Sequence, residues 1–275
     1  MLTALLAAPG LAAHDAPGRT PGPPGAVYGG RTSQAHPMSL GVTRDGTGLR
    51  DLFTRIDAGP CSDARTFNVG FDLNRALHIL IARGGAFAAT MPVKVPASSG
   101  EQLDLQLQFK GKIGRTRAFG TMRLAGAIRD ASGNETDRCD SGLFRWSLRR
   151  GPTYGGRLIT ASRGTLVIRL DSQGKEIRSF LLDFPILCGS VTFHFTLEHL
   201  NIPVGRNGAF SKRGVSGVRL KGPEGSTVSG RYALRGDVGP RRASGTYRAF
   251  GSVRFRDGSM ARCDSSTIPW IAARG

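Results

Sequence analysis

The chain has 275 residues, of which 39% are hydrophobic and 21% charged, with a formal net charge of +18. The first two figures are those of ordinary folded domains, and no apolar run approaches the roughly 18 residues a membrane-spanning helix needs, so no transmembrane helix is expected. The charge is the outlier: residues 1–151 hold 19 Lys+Arg against 12 Asp+Glu and residues 152–275 hold 19 against 8, so no single basic tail carries it. A positive field spread in this way attracts polyanions such as nucleic acid, anionic lipid or acidic envelope polymers. Arg also outnumbers Lys by 32 to 6, a bias that a GC-rich genome writes into permissive surface positions.

From the N-terminus, Met1 to Ala13 is a short apolar segment ending in small residues, like the back half of a secretory signal peptide without its basic start. Residues 14–27 are rich in Pro and Gly and read as a linker. The rest of the chain is written nearly twice. Tyr28-Gly29-Gly30-Arg31 returns as Tyr154-Gly155-Gly156-Arg157, and the stretch from Cys139 through Trp146 to Gly151 returns from Cys263 through Trp270 to Gly275. The repeat predicts two copies of one domain, 28–151 and 152–275, with only a few residues between the last strand of one and the first of the next.

Within each copy the apolar period is two. Phe67-Asn-Val69-Gly-Phe71-Asp-Leu73 and Val191-Thr-Phe193-His-Phe195-Thr-Leu197 alternate, and Leu103-Asp-Leu105-Gln-Leu107-Gln-Phe109 does so most cleanly, placing Asp104, Gln106 and Gln108 toward water. Further strands are predicted at 39–42, 52–56, 122–128, 165–170, 178–184, 229–234 and 247–255. Asn207-Gly208, matched by Gly84-Gly85 in copy one, predicts a type I′ hairpin turn. With 39 Gly and 15 Pro and no long amphipathic window, the fold class is all-β: two tandem antiparallel sandwich or barrel-like domains of about eight strands each. Periodicity leaves sheet closure open.

The four cysteines fall two per copy. Three pairings are possible, and only Cys61 with Cys139 and Cys188 with Cys263 keeps each domain self-contained. Such bridges imply an oxidising compartment, in line with the signal-like start. A zinc site fits poorly, because close Cys-x-x-Cys pairs are missing, and no metal, cofactor or catalytic residue is assigned.

Cys139-Asp140-Ser141-Gly142 has the Asp-Ser-Gly of a serine nucleophile but none of its partners, so the expected role is a turn in which Asp and Ser bond local backbone. Histidines 14, 36, 78, 194 and 199 do not repeat between copies and are expected in solvent or turns; His194 and His199 have opposite strand parity and cannot share a metal. Trp146 and Trp270 follow their cysteines by seven residues, an odd spacing that puts them on the opposite pleat, and are expected in the core rather than on a sugar-stacking platform. The basic stretches around Lys110, Lys112, Arg115 and Arg117 in copy one and Arg241 and Arg242 in copy two fall at equivalent places and read as hairpin tips. On one side of the molecule they would form a bivalent cationic surface. No interleaved aromatics accompany them, which argues against base stacking.

Tyr28, Gly30, Thr32, Ser33 and Gln34, the mid-domain Ala/Ser-Gly-Thr strands and Cys139-Asp140-Ser141-Gly142 with Trp146 together resemble uncharacterised secreted β-rich proteins of high-GC actinobacteria that carry a two-cysteine module singly or in tandem. Copy two departs from that pattern at Leu158-Ile159-Thr160 and at Ser266. The resemblance implies export and a β-fold and brings no activity with it. The expectation is a non-enzymatic secreted or cell-envelope module, binding or structural, whose basic loops suit anionic envelope polymers or other polyanions. An extracellular hydrolase with an unrecognised site and a nucleic-acid-binding protein are the alternatives. What the copies share is expected to be scaffold, and local function is expected among their differences, the paired basic tips excepted.

Overall fold

The structure, a computed structural model, describes residues 23–59, 61–62, 68–73, 77–96, 101–159, 164–221, 227–255 and 257–274. The signal-like segment 1–13 and most of the 14–27 linker lie outside them. Among the described residues no helix is long and apolar enough to cross a membrane. Copy one comprises β1 (Val27–Thr32), β2 (Pro37–Val42), β3 (Gly48–Asp57), β4 (Asn68–Leu73), β5 (Ile79–Leu80), β6 (Ala86–Pro96), β7 (Gln102–Ile113), β8 (Arg117–Arg129), β9 (Glu135–Asp140) and β10 (Phe144–Arg150). Copy two comprises β11 (Thr153–Leu158), β12 (Thr165–Leu170), β13 (Glu176–Cys188), β14 (Val191–Pro203), β15 (Ala209–Lys221), β16 (Thr227–Val238), β17 (Arg242–Arg254), β18 (Met260–Asp264) and β19 (Ile268–Arg274).

Each copy is one antiparallel sheet, ordered β4-β3-β2-β1-β10-β8-β7-β6 and β14-β13-β12-β11-β19-β17-β16-β15, with β5, β9 and β18 off these paths. The predicted strands fall on these elements, except Phe255, one residue past the end of β17, and Phe67, which lies outside the described residues. The sheets roll up. In copy two β18 pairs with β17 on one side and with β13 on the other, so β13-β12-β11-β19-β17-β18 is a closed hydrogen-bonded circuit. Its closing pair is Cys188 opposite Cys263, joined as a disulfide; in copy one the same seam is the isolated bridge Cys61 to Cys139, also a disulfide. Beyond the circuit, β14 folds over β16 and β17 with Phe193 on Phe255 and His199 on Tyr232. Each copy is thus barrel-like at its centre and sandwich-like at its flank.

Alternation sets the core. Leu103, Leu105, Leu107 and Phe109 are all buried in copy one, whereas Gln106 and Gln108 are exposed. Trp146 packs with Phe87 and Phe109, and Trp270 with Phe180 and Phe210. Both indoles are core, as expected, although the cysteines and tryptophans sit on separate strands, so pleat parity does not relate them. The shared Ala/Ser-Gly-Thr glycines exist for these indoles. A Cβ on Gly120 would stand 2.6 Å from Trp146 Cζ2, and one on Gly245 would stand 2.5 Å from Trp270 Cζ2, each also colliding with the carbonyl of the neighbouring strand at Lys110 or Arg235. Backbone cannot yield as a side chain can, so Gly245→Ala should cost about 3 kcal/mol, the upper part of the overpacking range. Gly151→Ala, with open space around it, should stay within about 0.5 kcal/mol of wild type. Denaturation followed by tryptophan emission measures both, and equal midpoints would contradict the packing argument.

The type I′ expectation is corrected. Gly84 and Gly85 both have positive φ, but in copy two only Gly208 does, at +87°, and Asn207 does not. Gly205 N donates to Ala209 O and Gly208 N to Gly205 O, a turn followed by a left-handed glycine. The strands it joins, β14 and β15, are the two edges of the sheet, so the turn carries the chain across the roll instead of starting a paired hairpin. Ser266, which replaces Gly142, keeps that glycine's left-handed backbone with φ +56°, a conformation that costs a non-glycine residue about 1 kcal/mol.

The copies pack through the outer faces of β1, β2 and β3 against β11, β12 and β13, with β1 on β11, β2 on β12 and reciprocal cross-contacts, the signature of an approximate two-fold axis. This explains the repeated Gly-Gly. A Cβ on Gly29 would meet Thr153 Cγ2 at 2.7 Å, and one on Gly155 would meet Phe53 Cδ2 at 2.7 Å, so the first glycine of each pair admits the other copy. The second, Gly30 or Gly156, lies against the backbone of β10 or β19.

Candidate functional site

Both basic stretches are hairpin tips, β7–β8 and β16–β17, and each is anchored identically. Tyr28 Oη donates to Gly114 O at 2.7 Å and Tyr154 Oη to Gly239 O at 2.8 Å. Arg150 N donates to Thr116 O at 2.9 Å and Arg274 N to Arg241 O at 2.8 Å. The guanidinium groups of the same arginines reach Arg115 O and Pro240 O, each at 3.4 Å. Burial pushes both phenols above the usual tyrosine range, with the adjacent arginine pulling the other way. Lys110, Lys112, Arg115, Arg117, Arg241 and Arg242 are all exposed.

Arg150 and Arg274, the last residues of β10 and β19, also line one cleft of about 290 Å³ between the copies, together with Gly25, Ala26, Val27, Gly151, Pro152 and Thr153. The two tips therefore flank the same cleft. Arg115, Arg117, Arg241 and Arg242 are brought to its sides, whereas Lys110 and Lys112 sit further along β7. Among the described residues no carboxylate, histidine or cysteine side chain lines the cleft. Sequence reasoning missed Arg150 and Arg274, although the repeat aligns them as the arginines before Gly151 and Gly275.

A second cluster lies buried in the inter-copy interface. Arg55 Nη1 stands 3.0 Å from Asp183 Oδ2, with the two side chains 4% and 1% exposed. Ser39 of β2 pairs with Phe53 and Val167 of β12 with Leu181, which makes Arg55 and Asp183 the same position in the two copies. One position has thus been given opposite charges that meet near the pseudo-two-fold axis. His36 joins them, with Nε2 2.9 Å from Asp57 Oδ2 and Nδ1 3.6 Å from Asp183 Oδ2. Arg31 bonds Glu198 at 2.8 Å across the same interface. Burial raises the Asp183 carboxyl above the usual range, against the pull of Arg55 and His36.

The histidine expectation is corrected at His199. His36 lies in the β1–β2 turn, as expected, and is buried there, whereas His199 is buried on strand β14, its ring 4.1 Å from that of Tyr232 and 5.8 Å from that of Tyr247. Register places Leu73, Leu107 and Met122 at the corresponding positions of copy one, so a polar aromatic cluster replaces an aliphatic one. Burial, helped by Lys212, lowers the His199 imidazole to about 4, and burial pushes the Tyr247 phenol well up. A histidine depressed in the native state stabilises fully above its unfolded pKa near 6.5 and loses that contribution as pH falls toward 4. The loss amounts to about 3 kcal/mol between pH 7 and 4. His199→Leu should flatten that part of the stability–pH curve; parallel curves for variant and wild type would contradict it.

The Asp-Ser pairs open turns, as expected. Gly142 N donates to Asp140 Oδ1 and Ser266 N to Asp264 Oδ1, both at 2.8 Å, while Ser141 Oγ and Ser265 Oγ accept from Leu124 N and Ala249 N at 2.8 Å. Hydrogen bonding from Arg123 and Arg248 holds Asp140 and Asp264 below the ordinary carboxylate range. These hydroxyls face backbone, not a base. His78 is exposed, and His14 lies outside the described residues. Comparison with family models, with curated proteins and with solved structures returns no match, so the geometry of the cleft and its two tips carries the functional reading.

Proposed function

We propose that the protein is a non-enzymatic exported module of the cell envelope or extracellular space that binds anionic polymers through its two basic tips. The observation that carries this reading is the placement of both tips beside one cleft, each locked by a tyrosine and an arginine at the end of its copy. Two equivalent cationic spots on a single rigid scaffold convert the second contact with a polymer into an intramolecular one, which raises avidity by about 10²–10⁴ without new chemistry. Two disulfides within the chain and the signal-like start support export, since persistent disulfides belong to oxidising compartments.

Binding to a heparin-like polyanion, to isolated envelope polymers and to nucleic acid should be measured at two salt concentrations. Affinity should fall steeply with salt, as counterion release requires. Neutralising one tip (Arg115→Gln with Arg117→Gln) should weaken polymer binding by about ten-fold or more, and adding Arg241→Gln with Arg242→Gln should remove the avidity altogether. Salt-insensitive binding, or none to any polymer, would overturn the proposal.

A further inference from the structure

The cations at the inter-copy seam are more crowded than a polymer groove requires. Arg150 and Arg274 line the cleft. Arg149 pairs across strands with Gly29, whose face meets Thr153 and Arg169 of copy two, and Thr153 pairs with Arg169 in turn. Arg169 is half-buried, its Nε buried with no hydrogen-bond partner among the described residues, and Thr153 Oγ1, in a residue lining the cleft, is likewise buried without a partner. Burial and then the nearby Arg149 charge disfavour the Arg169 cation, while Glu198 favours it. Glu198 is already engaged, by Arg31 at 2.8 Å and by Ser179 Oγ at 2.6 Å. Among the described residues none of Arg149, Arg150, Arg169 and Arg274 has an ion-pair partner. The two-fold equivalents of Arg149 and Arg169 are Ala273 and Gly41, so this crowding belongs to one side of the axis and is a difference between the copies.

We infer that the seam is a phosphate-recognition site, in which Arg150 and Arg274 bind one phosphate group in the cleft while Arg149 and Arg169 add positive charge beside it. The inference rests on the polyanion reading and narrows its chemistry. A carboxylate offers two oxygens and one charge, whereas phosphate offers more acceptor oxygens and up to two charges, which suits several guanidinium forks. The tips then hold other charges of a polymer that presents this group as a terminal or pendant phosphomonoester.

The test uses the full chain and inorganic phosphate, titrated by calorimetry at constant ionic strength, with acetate as the carboxylate control and thermal melts to verify folding. Wild type should saturate with phosphate and bind acetate at least ten-fold more weakly. Arg150→Gln with Arg274→Gln should lose ten-fold or more in phosphate affinity, whereas Arg138→Gln with Arg262→Gln, an equal charge change beside the disulfides, should not. Arg150→Lys with Arg274→Lys keeps the charge without the fork and should fall between. Absence of phosphate saturation in wild type, an unchanged double Gln variant, or equal acetate binding each overturns the site. Polymer binding without phosphate binding would sink the site and leave the polymer reading standing; phosphate binding without polymer binding would do the reverse.

Discussion

Asp183→Ala should lower the stability of the chain by about 3–5 kcal/mol, the cost of removing one partner from a buried ion pair. The mutation deletes the carboxylate that Arg55 and His36 both face and leaves the Arg55 charge in a dehydrated interface. Replacing both members, Arg55→Met with Asp183→Leu, should retrieve most of the loss, because an apolar pair of similar volume is often as stable as a buried ion pair. The expected signature is coupled: the single variant should also loosen one copy from the other, seen as faster hydrogen exchange along β2 and β12. A single variant within about 1 kcal/mol of wild type would show that the pair does not hold the interface. Acid alone should not mimic the mutation. A carboxyl raised by burial stabilises most below its unfolded pKa and less as pH rises through its folded value, so the stability lost between about pH 6.5 and 4 is assigned to His199, and the carboxyls held low at Asp140 and Asp264 add their loss at lower pH.

Removing a disulfide is the other large perturbation. The bridges close loops of 78 and 75 residues by sequence separation, so chain entropy stabilises both alike, and loss of either should cost about 2–5 kcal/mol. Their surroundings differ. In copy two the seam keeps the backbone pairs Leu187 to Asp264 and Cys188 to Cys263, while in copy one the described residues form an isolated bridge at the cysteines, supported by Ser62 N donating to Arg138 O and to Asp137 Oδ1. Cys61→Ala with Cys139→Ala should therefore open its circuit further than Cys188→Ala with Cys263→Ala, with greater loss of amide protection in β9 than in β18. Equal protection in the two double variants would count against the seam as the difference.

Much of this fold is legible in local pattern. The alternation from Leu103 to Phe109 specifies which face of β7 is buried and Asp140-Ser141 specifies a turn, because each depends on neighbours in sequence, while the bridges are legible through the repeat, which matches the cysteine positions of the two copies. Sheet closure is not legible, since β10 lies beside β1 and β18 beside β13 only after the chain has come round. The type I′ expectation fails for a related reason: Asn207-Gly208 encodes a turn, but what it joins is decided by the roll of the sheet. The absence of a repeat points the histidines to solvent or turns, which fits the turn position of His36, yet the β14 flank buries His199 within a strand. Arg55 and Asp183 leave a usable signal. Once the repeat is aligned they occupy one position with opposite charges, which is how a duplicated face that packs on itself becomes complementary.

The small cleft has a topological consequence as well as an electrostatic one. It is lined by Val27, where β1 begins, by Arg274, where β19 ends, and by Gly151 and Pro152, where one copy passes into the other. Entry, exit and joint thus converge on one spot. A short bridge from Arg274 to Gly25 and a cut at the joint would give a circular permutant with the copies in reversed order and every strand pairing intact. The order in which the two copies are written is then structurally arbitrary. A partner joined directly at Gly25 or at Arg274 would emerge beside the tips.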